Sequence, residues 1–380
     1  MGCICAAGDS LPRCIDTLFR GAPVPAPPVR FASNHPTRYP VFEVHGFPEE
    51  PGLLRTAALG IRAAREALSD AGLDAEGLRP LRVGVCVGTT VGCALSDETF
   101  CRDYRGGGTP SLAPIERIVR SNPAEAVAEA FGLSGPCETV VNACSSGTDA
   151  IGVAAAWIRQ GICDAAVAGG ADELGRVPYM GFAALMISDS SPCRPFDRDR
   201  RGLNLGEGAA MVVLESEALL RSRRKAPRAF VLGYGLSADA YHPTAPRPDG
   251  AGLRRAIAAA LGEAGASPSD VAFVNAHGTG TPDNDRIESL VLAETLPGVP
   301  FVSTKGYTGH TLGAAGAIEA VFTVACLEAG RIPANAGLVT TDPEMRAFPV
   351  TEATAVRGSV ALSESLAFGG NNAVVVLATP

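Results

Sequence analysis

Residues 138–161 read ETVVNACSSGTDAIGVAAAWIRQG. Glu138–Asn142 has the β-branched run of a short strand, the small residues Ala-Cys-Ser-Ser-Gly make a turn, and Ser146–Gly161 reads as a helix. Ala150, Ile151, Val153, Ala154, Ala155 and Ile158 leave that helix apolar nearly all round, so it is expected to be buried. Cys144 then stands at a helix N-terminus. The positive end of the dipole there is expected to lower the thiol pKa, and the free backbone N–H groups can hold an oxyanion.

The same alternation continues outward in both directions. Leu53–Ala71 reads as an Ala/Leu/Arg helix stopped by Gly72, Arg82–Gly88 as a buried strand, and Asp164–Ala168 and Ala209–Leu214 as two more. Ala229–Ser237 is a strand, Gly250–Gly265 a helix, Val271–Asn275 a strand, Leu312–Gly330 a helix and Ala373–Leu377 a last strand. This order implies an α/β fold with mostly buried sheets. The halves 1–227 and 228–380 each place a reactive residue at a strand-to-helix turn, which points to a duplicated α/β unit. Ala168–Asp172 and Phe368–Asn372 read as glycine turns. Val24–Arg38 and Arg105–Pro114 are loops, too short for flexible linkers.

The chain has 380 residues, 46% apolar and 19% charged, with net charge −8 and pI near 5.3. It is long enough for a large core. The acidic balance argues against nucleic-acid binding as the main task. No run of about 18 apolar residues is evident, so no membrane span is expected. The first residues lack the charged region of a secretory signal, and Ala6 stands where an acylation pattern wants Ser or Thr. Eleven scattered cysteines fit no disulfide framework and point to the reducing cytoplasm. Cys3-x-Cys5 has no second ligand pair nearby in sequence, so no metal site is expected. Neither GxGxxG nor GxxxxGK[ST] occurs where a nucleotide would need it.

Five histidines are present, at 35, 45, 242, 277 and 310. His277 follows a strand in NAHGTGTP, and ligands bind at such strand ends in α/β sheets. Thr279 and Thr281 offer hydroxyls two residues apart, suited to a linear polar ligand. His310 ends Lys305-Gly-Tyr-Thr-Gly-His310 at the opening of a helix, and Glu319 lies about two and a half turns further on. A thiol and two imidazoles together suit acyl-thioester chemistry with a carbanion-forming step. The Phe368-Gly-Gly turn offers a second N–H for an oxyanion hole.

On these residues the chain resembles a β-ketoacyl-acyl-carrier-protein synthase of the type I/II group, in the thiolase superfamily. NACSSGTDAIG (142–152), VAGGADE (167–173), CRPFDRDRRGLNLGEGAA (193–210), SADAYHPTAP (237–246), NAHGTGTPDND (275–285), STKGYTGHTLGAAGAIEA (303–320) and AFGGNNA (367–373) occur in family order. Biosynthetic thiolases carry Cys where His310 stands, initiating synthases carry Asn, and chain-length-factor partners lack the cysteine. The alternatives of a CoA-dependent thiolase and of a pocket-shaping partner subunit are therefore disfavoured.

The resemblance implies a thiolase-like fold: two βαβαβαββ halves in a five-layered αβαβα arrangement. It implies acylation of Cys144, an oxyanion hole from the N–H groups of Cys144 and Phe368, and contacts from Thr279 and Thr281 to the pantetheine arm. His277 and His310 would stabilise the enolate, Lys305 and Glu319 would orient and polarise His310, and Phe368 would gate the acyl pocket. Asp239, Asp285 and Glu288 match charged positions read as structural. No cofactor or metal is implied beyond the phosphopantetheine brought by an acyl carrier protein, and a homodimer or a heterodimer with a related subunit is expected.

Several features depart from the pattern. The family's opening strand is missing or cut short at Gly2–Gly8. The segment that is often basic reads Phe47-Pro-Glu-Glu-Pro-Gly52, which leaves carrier docking to Arg55, Arg62, Arg65 or the Arg198–Arg201 cluster. The segment Glu364-Ser-Leu-Ala-Phe-Gly-Gly370 stands for NSFGFGG, and the Ser188–Cys193 loop is short. These departures favour specialised polyketide or polyene synthesis over housekeeping fatty-acid elongation.

Overall fold

A computed structural model describes residues 1–49, 53–92, 95–113, 115–116 and 122–380. Glu50–Gly52 and Pro114, which end two of the segments read above, lie outside these residues, as does Cys93.

The first sheet contains β1 (Gly2–Cys5), β2 (Val83–Gly88), β3 (Cys137–Val140), β4 (Ala165–Asp172) and β5 (Gly208–Glu215), in the order β1-β5-β4-β2-β3. The second contains β6 (Phe230–Ala238), β7 (Val271–Asn275), β8 (Phe301–Val302), β11 (Val360–Ala367) and β12 (Asn371–Ala378), in the order β6-β12-β11-β7-β8. Between β8 and β11 in sequence, β9 (Arg331–Ile332) and β10 (Thr354–Ala355) form a separate ribbon. The pairing sense is the same in both sheets: antiparallel at the first two steps and parallel at the last two. The two halves therefore repeat one βαβαβαββ winding.

The helices Ser146–Arg159 and Ala315–Ala329 lie between the sheets and touch both. Arg55–Ala71 and Pro123–Phe131 cover the outer face of the first sheet, and Ala251–Ala264 covers that of the second. The result is five layers, αβαβα. The two middle helices are buried on nearly all sides, which explains their all-round apolarity. Leu312–Ala329 is long and apolar enough to cross a membrane by length and composition, despite Glu319 and Glu328, but 89% of its residues are buried inside the protein.

Two sequence readings are corrected. Ala168–Asp172 is the end of a strand, not a turn. Gly169 and Gly170 stand there because a Cβ would lie 2.0 Å from the Ala210 carbonyl oxygen and 2.6 Å from that of Gly313. The last long helix starts at Ala315, after a 3-10 turn over Leu312–Ala314 in which Leu312 has φ 53°. Of the two alternatives for the opening strand, the shortened one is observed: four residues, paired antiparallel with β5. The strand β11 was not read at all, because Ser363-Glu364-Ser365 breaks its apolar run, yet all three are fully buried.

Candidate active site

Strand ends from both sheets converge on one point between the halves. The chain leaves β3 at Asn142 and turns through Ala143–Ser145 into the helix from Ser146. Ala143 takes φ 50°, a left-handed backbone that costs a residue with a Cβ about 1–3 kcal/mol. Side chains hold it there. Ser145 Oγ lies 2.9 Å from the Asn142 carbonyl and 2.8 Å from Asp149 Oδ2, its one proton shared between them, and Ser146 Oγ donates to the Ala143 carbonyl (2.7 Å). Asp149 also accepts from Asn142 Nδ2 and from the Tyr234 hydroxyl of the other half, at 2.6 and 2.7 Å.

This turn presents Cys144 to His277 and His310. The sulfur and one ring nitrogen of each histidine all lie within 4.8 Å of one another, and the three side chains are buried. The rings stand nearly perpendicular, centroids 5.3 Å apart. Such a donor set could also hold a metal ion, as could Cys3, Cys5 and Cys14 elsewhere. That second group adds one thiol, Cys14, to Cys3-x-Cys5, rather than a second ligand pair.

Each imidazole is fixed through Nδ1. The Leu312 N–H donates to His310 Nδ1 at 3.1 Å, so the His310 proton lies on Nε2. Lys305 Nζ lies 3.0 Å from His277 Nδ1 and donates to the His277 carbonyl at 2.7 Å. An ammonium only donates, so His277 too carries its proton on Nε2. Lys305 is paired with Glu319. The expectation that Lys305 and Glu319 orient His310 is thus corrected: their partner is His277. His310 is held by backbone bonds, its N–H to the Asn204 carbonyl (2.7 Å) and its carbonyl to the Gly206 N–H (2.9 Å). The Leu203–Glu207 part of the sequence motif thereby acquires its task.

Electrostatics follow from burial. Both histidines are held well below the ordinary imidazole value, first by desolvation and then by the Lys305 charge, so both are neutral. Burial pushes Glu319 up to about 7 against the pull of Lys305. Burial also pushes the Cys144 thiol up to about 11, and the Phe368 N–H and Lys305 only partly offset it. The thiolate expected from the helix dipole is therefore corrected: desolvation outweighs it, and the resting thiol is protonated.

The Phe368 N–H points at the Cys144 sulfur. Gly369 and Gly370 have φ 85° and 75°, so this turn needs glycine as read. The Phe368 ring stacks on Phe182 at 5.4 Å, and Phe182 meets His310 edge-on. Phe182 carried no signal in the sequence. Thr279 and Thr281 hydrogen-bond to one another, Oγ to Oγ 2.8 Å.

Acidic residues brace the loops. Glu288 accepts from the His277 and Gly278 N–H groups. Asp285 accepts from Phe196 N–H, and Asp239 from Arg247 N–H and Asn372 Nδ2. Asp172, which sequence reasoning missed, accepts from Thr89, Thr90 and Gly313 and so ties β4 to the loop after His310. His242 is not brought to the centre; its Nδ1 accepts from Thr244 and Ala245 N–H in an exposed turn. Two of the arginines expected to dock a partner are also unavailable. Arg55 is buried against Glu207, and Arg200 against Asp342. Arg65, Arg198 and Arg201 are exposed.

Two α/β halves closed on a Cys–His–His centre define a thiolase-fold acyltransferase. Residues 52–219 match the family described as Beta-ketoacyl synthase, N-terminal domain, and residues 228–339 match Beta-ketoacyl synthase, C-terminal domain. The chain is 36% identical over 335 residues to 3-oxoacyl-[acyl-carrier-protein] synthase 2 of Staphylococcus aureus, covering 85% of this chain and 83% of that one. The structure of the ishigamide ketosynthase/chain length factor superposes with TM-score 0.95 at 32% identity, over 100% of this chain and 97% of that one. A ketosynthase in complex with its chain length factor from Xenorhabdus doucetiae gives 0.88 at 29%, over 100% and 96%. The chain belongs to the β-ketoacyl synthase family.

Proposed function

We propose that this protein condenses an acyl group held on Cys144 with a malonyl group presented on an acyl carrier protein. The observation that carries the reading is the buried triangle of Cys144, His277 and His310, with Nδ1 of each ring already engaged. Both Nε2–H groups are thus free to donate into the same space.

The Cys144 sulfur attacks an acyl thioester, and the carrier's pantetheine thiol leaves with the proton. The carbonyl oxygen is held between the N–H groups of Cys144 and Phe368. Malonyl thioester then enters, with its pantetheine arm along Thr279 and Thr281. Its C–C bond to the carboxylate breaks and carbon dioxide leaves. The electron pair moves onto the thioester oxygen, where the neutral His277 and His310 donate to it. Carbon 2 attacks the acyl-Cys144 carbonyl, and the Cys144 thiolate departs and takes up one proton from solvent. The product is a 3-oxoacyl-carrier protein. Holding both partners in one dry pocket makes the C–C step effectively unimolecular. Lys305 and Glu319 keep His277 in the right tautomer, and Phe368, stacked on Phe182, gates the acyl pocket. The catalytic groups in this scheme come from the protein; phosphopantetheine arrives on the carrier.

We assign this chemistry to polyketide or polyene synthesis, on the departures at Glu364–Gly370 and Phe47–Gly52. The duplicated units are 1–227 and 228–380, in line with one sheet being drawn from residues 2–215 and the other from 230–378. The exposed edge of β3, with Val141 66% exposed, favours pairing with a second copy or a related subunit. The described cysteines are all free, in keeping with the cytoplasm.

The test is intact-protein mass spectrometry with acyl- and malonyl-carrier proteins, beside Cys144→Ala. An acyl adduct on the wild type alone, followed by 3-oxoacyl-carrier protein, is the expected result. No adduct with any chain length would sink the catalytic reading in favour of a partner subunit. Cleavage of acetoacetyl-CoA by CoA would mark a thiolase.

A further inference from the structure

The first fourteen residues carry three cysteines that the condensation chemistry does not use. Strand alternation places Cys3 and Cys5 on one face of β1, while Ile4 points into the core beneath the opposite face. A tight turn follows, closed by Cys5 N–H to the Gly8 carbonyl (2.9 Å) and Gly8 N–H to the Cys5 carbonyl (3.0 Å). It folds the helix Leu11–Arg20 back so that Cys14 faces both strand thiols. Cys14 Sγ lies 3.7 Å from Cys5 Sγ and 4.0 Å from Cys3 Sγ. All three are buried, at 2% exposure or less.

These distances discriminate between two kinds of thiol chemistry. Sulfurs joined in a disulfide stand about 2.05 Å apart, so this arrangement would have to collapse by more than about 1.5 Å. Sulfurs bound about 2.3 Å from one central ion at trigonal angles stand about 4.0 Å apart. We propose that Cys3, Cys5 and Cys14 form a trigonal site for a soft, thiophilic cation of low coordination number, of the Cu(I) class.

The donor count selects that class. Among the described residues no imidazole or carboxylate joins the three sulfurs within ligating distance. The nearby Glu66 carboxylate already accepts from the Cys3 and Leu11 N–H groups, at 3.1 and 2.9 Å. Structural zinc asks for four ligands, whereas Cu(I) is selected by thiolates and by geometry. Each thiol that ligates as thiolate releases its proton to solvent, so binding strengthens as pH rises. A surface cleft of about 860 Å³ is lined by Leu11 and Glu66, which neighbour the cluster.

The experiment uses the full chain as Cys144→Ala, which removes the thiol of the other cysteine–histidine set. It is titrated anaerobically with Cu(I) against a bicinchoninate competitor. The expected result is retention of one equivalent, with thiolate-to-copper absorption, and its loss on adding Cys14→Ala. X-ray absorption at the copper edge of the Cys144→Ala protein needs no change to the cluster. It is expected to show three sulfur neighbours at about 2.3 Å. Release of all copper to the competitor, nitrogen neighbours, retention unaffected by Cys14→Ala, or preference for Zn(II) over Cu(I) would each overturn the site.

Discussion

Cys144 combines a strained turn with a thiol that is neutral at rest. A thiol at about 11 has a thiolate fraction that rises tenfold per pH unit up to that value. Alkylation of Cys144 by iodoacetamide, read by mass spectrometry, is therefore expected to accelerate steadily from pH 7 towards 11. A plateau near neutrality would show that the helix N-terminus outweighs burial. Glu364 is the second informative residue. It is fully buried against Glu288, with no other partner for either carboxyl oxygen among the described residues. Desolvation and the Glu288 charge hold it well above the ordinary carboxyl value, and Glu288 itself is raised to about 7. An acid raised in the folded state keeps its proton while the unfolded chain loses it, so stability falls as pH rises from the ordinary value through the raised one. Glu364→Gln resembles the protonated acid. Its stability by urea denaturation is expected to match wild type near about pH 5 and to exceed it increasingly towards pH 8. Equal stability at both pH values would mean that the pair carries no shared proton.

The two central helices meet almost backbone to backbone. A Cβ on Gly316 would lie 2.0 Å from Thr148 Oγ1 and 2.8 Å from Ser365 Oγ. Gly316→Ala is expected to cost about 1–3 kcal/mol in urea denaturation. Gly262, on the exposed side of Ala251–Ala264, meets nothing within 4 Å. There Gly→Ala is expected to add about 0.5–1 kcal/mol. Equal effects at the two sites would show that helix propensity, not close packing, governs both. The elements explain what was legible locally. Val271–Asn275 was read with its observed bounds because it is a short, continuous apolar run. The strand β11 escaped because Ser363, Glu364 and Ser365 are polar, and burial of such residues depends on neighbours far away in sequence.

At the scale of the whole molecule, β3 is the open edge of an otherwise buried sheet, and Val141 just beyond it is 66% exposed. If a second subunit pairs here, Val141→Arg is expected to convert a dimer into a monomer in analytical ultracentrifugation while leaving the circular dichroism unchanged. An unaltered sedimentation coefficient would place the interface elsewhere.

Local chemistry sufficed for the α/β alternation, the turn at Cys144, the two histidines after strand and loop, and the glycines at 369 and 370. Each depends on residues a few positions apart: side-chain period, β-branching, or a backbone angle that only glycine takes without strain. Only the tertiary structure decided that Lys305 serves His277, that His310 is hydrogen-bonded by backbone groups, that Arg55 and Arg200 are paired with buried carboxylates, and that Cys14 joins Cys3 and Cys5. It also reversed the expected state of the Cys144 thiol. A helix end is written in the local sequence, but desolvation is set by which distant segments close over the site, and in this protein both halves of the chain close over Cys144.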